Sequence, residues 1–236
     1  MKILAIETSA GPASCAVTEN GEILANSVVN TRLTHSQTLL PMVDAMLKNA
    51  ALSLEDMDVL AVSAGPGSFT GVRIGVAAVK GLAFTRKIPC ARVSTLAAMA
   101  HNVDGLPFDG IVCAVMDARC RQVYTADFLC EGGKVIRLTP DEAISIDDLK
   151  IRLNSYKKMI FLVGDGANLC YTSLKEFVPD LILAPPALRF QQATGVAAEA
   201  AVLAENGQCI DAAALLPIYL RLPQAERELK QRQQAR

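Results

Sequence analysis

The chain has 236 residues and a formal net charge of -1, with 20% charged and 5% aromatic residues. This composition excludes a basic, aromatic-rich surface that would bind nucleic acid unaided. No apolar run is long enough to cross a membrane, so no membrane partner is expected. The seven cysteines are scattered and include no C-x-x-C pair, which predicts buried free thiols in a reducing, cytoplasmic location.

The chain begins with a predicted three-stranded meander. Apolar runs at residues 3–7, 13–18 and 23–30 predict the strands, and Asn20-Gly21 is a strong hairpin signal between the second and the third. The period then becomes helical from His35 to Ala51, where apolar residues recur three and four positions apart. The apolar arc of this helix is wider than a one-sided helix requires, so we expect it to be covered on more than one side.

A glycine-rich segment, residues 65–75, follows the next predicted strand. A phosphate-binding P-loop requires a lysine after its last glycine, and this segment has none. We therefore expect a tight turn with close backbone packing, and a hydroxyl cap at Ser68 or Thr70. The helix that follows, from Thr70 to Phe84, carries only two charged residues, Arg73 and Lys80, so it too needs cover on most sides.

The pattern of the opening meander returns in the second half of the chain. A helix from Thr95 to His101 and a polar stretch at residues 103–108 separate the two halves. Predicted strands then recur at an offset of about 110 residues, at residues 111–116, 122–129 and 134–138. We therefore predict a duplicated chain with a first lobe at residues 1–106, a second lobe at 107–223 and a polar tail at 224–236.

The remaining predicted elements complete an α/β pattern. A strand at residues 160–163 enters a glycine turn that a helix follows, and another helix is predicted from Gln191 to Asn206. Two meanders, each followed by helices and strands, resemble the duplicated ribonuclease-H-like fold of the actin, hexokinase and acetate-kinase superfamily. In that superfamily a hairpin from each lobe holds phosphates and a glycine turn touches adenosine. The corresponding residues here, as vestigial candidates for nucleotide contacts, are Glu7, Thr8, Ser9, Asp117, Gly164, Asp165 and Gly166.

The eleven-residue glycine segment is part of a wider resemblance. Together with Ile6-Glu7-Thr8-Ser9, Leu39-Leu40-Pro41, Met116-Asp117-Ala118-Arg119 and Pro217-Ile218-Tyr219-Leu220-Arg221, it resembles the TsaB family, also called YeaZ. This resemblance implies a non-catalytic subunit needed for the N6-threonylcarbamoyl modification of adenosine beside the anticodon in tRNAs that read codons starting with A. It implies that the partners are a catalytic paralogue, TsaD, in a heterodimer, and an ATPase, TsaE. The resemblance also implies that the isolated protein forms a homodimer, that it contacts tRNA only through the complex, and that it has no cofactor.

Two alternatives to a non-catalytic subunit remain open from the sequence. The fold class, Asp117 and the glycine turn would suit an ATP-binding phosphotransferase or ATPase, although fold alone is a weak argument for activity. A peptidase would need a metal pair or an activated serine such as Ser68. The catalytic paralogue has a His-x-x-x-His pair, whereas the chain has only His35 and His101, so neither a bound metal nor catalysis by Ser68 is expected.

The two helices with wide apolar arcs form a predicted protein interface. We expect the helix from His35 and the helix from Thr70 to lie side by side and to form a four-helix contact with the same pair of a partner. The predicted anchors on the first helix are Leu39, Val43 and Met46, and Val43→Glu is expected to leave a folded monomer. The full predicted set is Leu39, Leu40, Val43, Met46, Leu47, Arg73, Ile74 and Ala77.

Overall fold

A computed structural model describes residues 1–31 and 33–221 of the chain. The polar tail predicted at residues 224–236 lies outside the described residues. Two sheets with helices between them and on their outer faces make up the described chain, which confirms the α/β class.

The first sheet holds the opening meander and the strands that flank the glycine segment. The strands are β1 Lys2–Glu7, β2 Ala13–Glu19, β3 Glu22–Val29, β4 Val59–Gly65 and β5 Cys90–Ser94. They lie in the order β3-β2-β1-β4-β5, with the meander antiparallel and β4 and β5 parallel to β1. The turn between β2 and β3 has Asn20 and Gly21 in the left-handed region, as the hairpin signal predicts.

The second sheet repeats the topology of the first. The strands are β6 Gly110–Asp117, β7 Gln122–Glu131, β8 Lys134–Arg137, β9 Glu142–Ser145, β10 Ile160–Val163 and β11 Leu181–Leu183. They lie in the order β11-β10-β6-β7-β8, and β9 also pairs with β7. Each strand of the first sheet therefore has a counterpart in the second, which confirms the duplication inferred from the repeated meander.

The helices agree with the periodicity where apolar patterns are long. The helices are α1 His35–Asn49, α2 Phe69–Phe84, α3 Thr95–Ala100, α4 Ile146–Ser155, α5 Ala167–Leu174, α6 Pro186–Arg189 and α7 Ala193–Glu205. Ser68, rather than Thr70, is the cap of α2. Periodicity does not predict α4 or β11, because a helix of three turns and a strand of three residues carry few periodic positions.

The central strands of each sheet are buried on both faces, and the two lobes exchange one helix each. On the first sheet, α1 and α2 cover one face and α7 covers the other. On the second sheet, α4 and α5 cover one face and α3 covers the other, where α3 also contacts α7. The layer between the two sheets therefore consists of α3 from the first half of the chain and α7 from the second half. The lobe boundary predicted between residues 106 and 107 stays a prediction.

Helices α1 and α2 lie side by side on the first sheet, as expected, but the predicted anchors do not face outwards. Leu39, Val43 and Met46 are only 1%, 3% and 6% exposed and pack in the core against the strands. The prediction that they anchor a partner is wrong for the chain as folded, because the sheet already covers that arc of α1. Leu40, in contrast, is 50% exposed on α1.

The cysteines follow the prediction of buried free thiols with one exception. Five of the seven are buried and Cys209 is partly buried. Burial raises the pKa of the Cys15 thiol to about 12, which makes it unreactive at neutral pH. The exception is Cys120, which is exposed in the turn between β6 and β7.

Candidate functional site

A cleft of about 590 Å³ opens between the two sheets, where the carboxyl ends of β1, β4, β6 and β10 meet. Of the candidate nucleotide contacts, the structure brings Ser9, Asp117 and Asp165 to its wall. The others, Glu7 and Thr8 among them, lie behind this wall. The cleft is lined by Ser9, Ala10, Gly11, Pro66, Gly67, Ser68, Phe69, Thr70, Met116, Asp117, Ala118, Arg119, Tyr124, Asp165, Ile218, Tyr219, Leu220 and Arg221.

Glu7 ends strand β1 and is completely buried. Its Oε1 accepts a hydrogen bond of 2.5 Å from the Ser9 amide, and its Oε2 accepts one from the Ser63 hydroxyl. Burial raises the pKa of the Glu7 carboxyl, although the bonds from Ser63 and Ser9 oppose this rise. Both carboxylate oxygens are therefore bound to the chain itself, which is the structural role that the residue type suggests at this hairpin.

The glycine segment packs directly on the first hairpin. The Ser68 amide donates to the Ser9 carbonyl oxygen at 2.7 Å, and the Thr8 hydroxyl donates to the Gly71 carbonyl oxygen at 2.8 Å. A Cβ atom at Gly71 would lie 2.1 Å from the Thr8 carbonyl oxygen, so a side chain cannot be accommodated there without moving the backbone. The prediction of a tight turn with close packing is confirmed.

The second-lobe candidates form a partly paired acidic group. Asp117 accepts a hydrogen bond of 2.7 Å from the Arg119 amide, and its carboxylate lies 3.4 Å from the Arg119 guanidinium. Asp165 accepts one of 2.9 Å from the Gln191 side chain. Desolvation at the cleft wall raises the pKa of the Asp165 carboxyl, the hydrogen bond from Gln191 opposes this rise, and the nearby Asp117 charge adds to it.

Residues 215–221, which we call the C-terminal strap, bridge the two sides of the cleft, and residues 218–221 line it. The Ile218 amide donates to the Ala64 carbonyl oxygen of the first lobe at 2.7 Å. The Arg221 guanidinium donates to the Ala118 carbonyl oxygen of the second lobe at 2.8 Å. The Tyr219 ring stacks on the Phe69 ring with 4.9 Å between centroids. Sequence reasoning missed this bridging position of the strap, because the strap has no periodic pattern that would indicate what it contacts.

Both histidines are hydrogen-bonded to groups other than Ser68. The His35 ring is hydrogen-bonded to the Ala10 carbonyl oxygen at 2.9 Å, and the His101 ring lies between Asp104 and Glu199. The Ser68 hydroxyl itself accepts from the Gly71 amide, which makes it a helix cap. Within residues 1–31 and 33–221, no group of three or more histidines, cysteines or acids could hold a metal ion. In the same residues, no helix has the length and apolar character needed to cross a membrane.

The fold and the cleft between its duplicated sheets define a protein of the actin-like two-lobe class. A solved ROK hexokinase from Thermus thermophilus shares the fold with a TM-score of 0.52 over 87% of this chain and all of that one, at 13% identity. The model of the family described as TsaD, tRNA N6-adenosine threonylcarbamoyltransferase, matches residues 22–229.

Within this class the chain belongs to the TsaB family of tRNA threonylcarbamoyladenosine biosynthesis proteins. It is 31% identical to the TsaB protein of Bacillus subtilis over 96% of both chains. A solved YeaZ structure from Pseudomonas aeruginosa matches it with a TM-score of 0.78 and 28% identity, covering 93% of this chain and 99% of that one. The resemblance found in the sequence is therefore confirmed.

The fold class implies a bound nucleotide, but several groups at the candidate phosphate positions of this cleft are already bonded within the chain. The amides of Ser9, Gly164 and Gly166 donate to Glu7, Arg189 and Val115, so these groups are already used. The carboxylate on the first hairpin is bound to the Ser9 amide and the Ser63 hydroxyl. Phosphate binding relies on free backbone N–H groups, and the amides of Ser9, Gly164 and Gly166 are not free for it.

Proposed function

We propose that the chain is a non-catalytic subunit in the biosynthesis of threonylcarbamoyladenosine in tRNA, and that it acts by binding the catalytic paralogue TsaD. TsaE joins the same machinery as an ATPase partner, and tRNA is reached through the complex. The net charge of -1 supports this indirect contact, because phosphate contacts supply most of the affinity of proteins that bind nucleic acid directly.

The internal bonding of the cleft supports a non-catalytic role. Glu7 holds the Ser9 amide and the Ser63 hydroxyl, and Asp165 holds Gln191, so these acids stabilise the fold. The strap also crosses the cleft with bonds to both lobes. A protein whose polar groups are used in this way suits a scaffold better than a phosphotransferase.

The observation that carries the proposal is the exposed surface of α1 and α2, which we call the α1–α2 surface. On α2, the exposed positions Arg73, Ala77, Gly81 and Phe84 follow one another at helical spacing, and Phe84 is 71% exposed. Leu40 adds an exposed apolar side chain on α1. Apolar groups clustered with small residues at a helix surface favour packing against another helix.

A paralogue with the same fold would present its own helix pair to this surface. If the two helix pairs pack around a two-fold axis, the same surface can form a heterodimer with the paralogue and a homodimer when the chain is isolated. The two assemblies would then compete for the α1–α2 surface, which the concentration dependence of each can reveal.

Co-purification with the TsaD paralogue of the same organism tests the proposal. Wild-type chain is expected to co-elute with tagged TsaD, and Leu40→Glu is expected to lose this association, because a carboxylate without a partner is costly in an apolar contact. Ile151→Glu is the matched control, since Ile151 is 70% exposed on α4 of the second lobe. Failure of the wild-type chain to associate, or equal loss in both variants, would count against the proposal.

An ATP-binding phosphotransferase is the second candidate, favoured by the volume of the cleft and by Asp117 and Asp165 on its wall. Calorimetry with ATP and magnesium separates the two functions. Tight binding by the isolated chain, lost in Asp165→Arg, would favour the second candidate. The proposed function predicts no such binding.

A further inference from the structure

The α1–α2 surface contains an arginine that is held in place by aromatic rings. The Arg73 guanidinium lies 4.9 Å from the centroid of the Phe69 ring, which is within the range of a cation–π contact. The Phe69 ring also stacks on Tyr219 of the strap, with 4.9 Å between the centroids and an angle of 27° between the rings. Arg73 is exposed, so the stack fixes a charged group at the outside of the molecule.

The other cations of α1 and α2 are already bound. Lys48 pairs with Asp44 at 2.7 Å, and the Lys80 ammonium donates to the Ala213 carbonyl oxygen at 3.1 Å. Across residues 1–31 and 33–221, no carboxylate pairs with Arg73. Its planar guanidinium is thus oriented, and no acid among those described residues uses its N–H donors, the condition under which arginine binds a carboxylate through two parallel hydrogen bonds.

A second copy of the chain is a poor match for this group. The only carboxylate on α1 and α2 is Asp44, and it is paired with Lys48. In a homodimer through the α1–α2 surface, Arg73 would therefore meet a surface with more cations than free acids. A partner with an acidic residue on its facing helix pair would remove this mismatch.

We infer that Arg73 determines the specificity of the α1–α2 surface, by binding a carboxylate that a heterologous partner carries and a second copy lacks. The inference rests on the proposed function, because it assigns the chemistry of the contact with the paralogue. The strap contributes through Tyr219, which orients Phe69 and so the guanidinium.

The test compares two equilibria for the same variants. Affinity for purified TsaD is measured by calorimetry, and self-association by sedimentation, for wild type, Arg73→Gln, Arg73→Lys and Lys48→Gln. Arg73→Gln is expected to weaken the heterodimer about tenfold or more and to leave self-association unchanged or stronger. Arg73→Lys should restore only part of the affinity, because it keeps the charge and loses the planar contact. Lys48→Gln, which removes a paired cation, should change the heterodimer by less than about threefold.

Salt dependence provides a second measurement. The wild-type heterodimer should weaken as ionic strength rises, and Arg73→Gln should weaken less, because it lacks the charge that salt screens. If wild type binds TsaD and Arg73→Gln binds it equally well, the inference is overturned while the proposed function stands. If wild type does not bind TsaD at all, the proposed function fails first.

Discussion

Gly71 lies in the first turn of α2, against the Thr8 carbonyl oxygen, and its place is fixed by hydrogen bonds from Thr8 and to Ser68. Gly81 lies on the same helix, and a Cβ atom added there would contact nothing beyond the backbone of its own helix. The two glycines therefore have different physical roles, although the sequence presents both as small residues in one apolar helix.

Alanine substitutions at these two positions should have opposite effects. Gly71→Ala is expected to lower the free energy of unfolding by about 3 kcal/mol, because the new methyl group would overlap a backbone oxygen. Gly81→Ala should raise it by about 0.5–1 kcal/mol, because alanine loses less backbone entropy in an exposed helix. Urea unfolding followed by circular dichroism measures both changes. Equal effects would show that the contact between Gly71 and Thr8 is not tight in solution.

Helices α1 and α2 show how the packing of a whole helix determines which of its residues are exposed. Each has an apolar arc wider than one contact needs, and the first sheet covers only part of it. The sheet covers Leu39, Val43 and Met46 of α1, and Leu40 stays exposed. Periodicity alone does not reveal which part of a wide arc faces the sheet, because several rotations of the helix bury similar apolar area.

Substitution by glutamate should have different effects on the two faces of α1. Val43→Glu should destabilise the fold by about 3–5 kcal/mol, because it buries a carboxylate without a partner. We therefore expect a markedly less stable chain in place of the well-folded monomer expected from the sequence. At concentrations where the chain is monomeric, Leu40→Glu should change stability by no more than about 0.5 kcal/mol, since its side chain is half exposed. Thermal melts of the two variants, read beside wild type, distinguish these outcomes, and a fully stable Val43→Glu chain would place α1 differently on the sheet.

At the scale of the whole molecule, the exchanged helices α3 and α7 join the lobes. His101 follows α3 and contacts Glu199 of α7 at 3.0 Å, as well as Asp104 at 2.7 Å. Burial by itself lowers the pKa of this imidazole, but hydrogen bonds and charges from Asp104 and Glu199 outweigh burial and raise it to about 9. The histidine is therefore protonated at neutral pH and forms a charged link between the two halves of the chain.

This link makes a prediction for the dependence of stability on pH. Because the folded pKa lies above the unfolded value, the contribution of His101 is complete below about pH 6.5 and is lost as the pH rises towards 9. The free energy of unfolding of wild type should fall over this range more than that of His101→Gln. Urea titrations at about pH 6, 7.5 and 9 give the difference between the two chains, which removes the contribution of other titrating groups. Parallel curves for the two proteins would refute the charged link.

The amino-acid sequence determined the helices and strands that have long apolar patterns, because these patterns are local properties of neighbouring residues. It also determined the duplication, because the same order of patterns occurs twice. It also indicated the family, since the glycine segment around Gly71 and the hairpin at Glu7 carry a specific resemblance. It did not determine which arc of α1 would be buried, that α3 and α7 change lobes, or that the strap would bridge the cleft. Those features depend on contacts between residues far apart in the chain, such as Tyr219 with Phe69 and His101 with Glu199. Only the tertiary structure determines these features, because the local sequence is compatible with several packings that bury similar apolar areas.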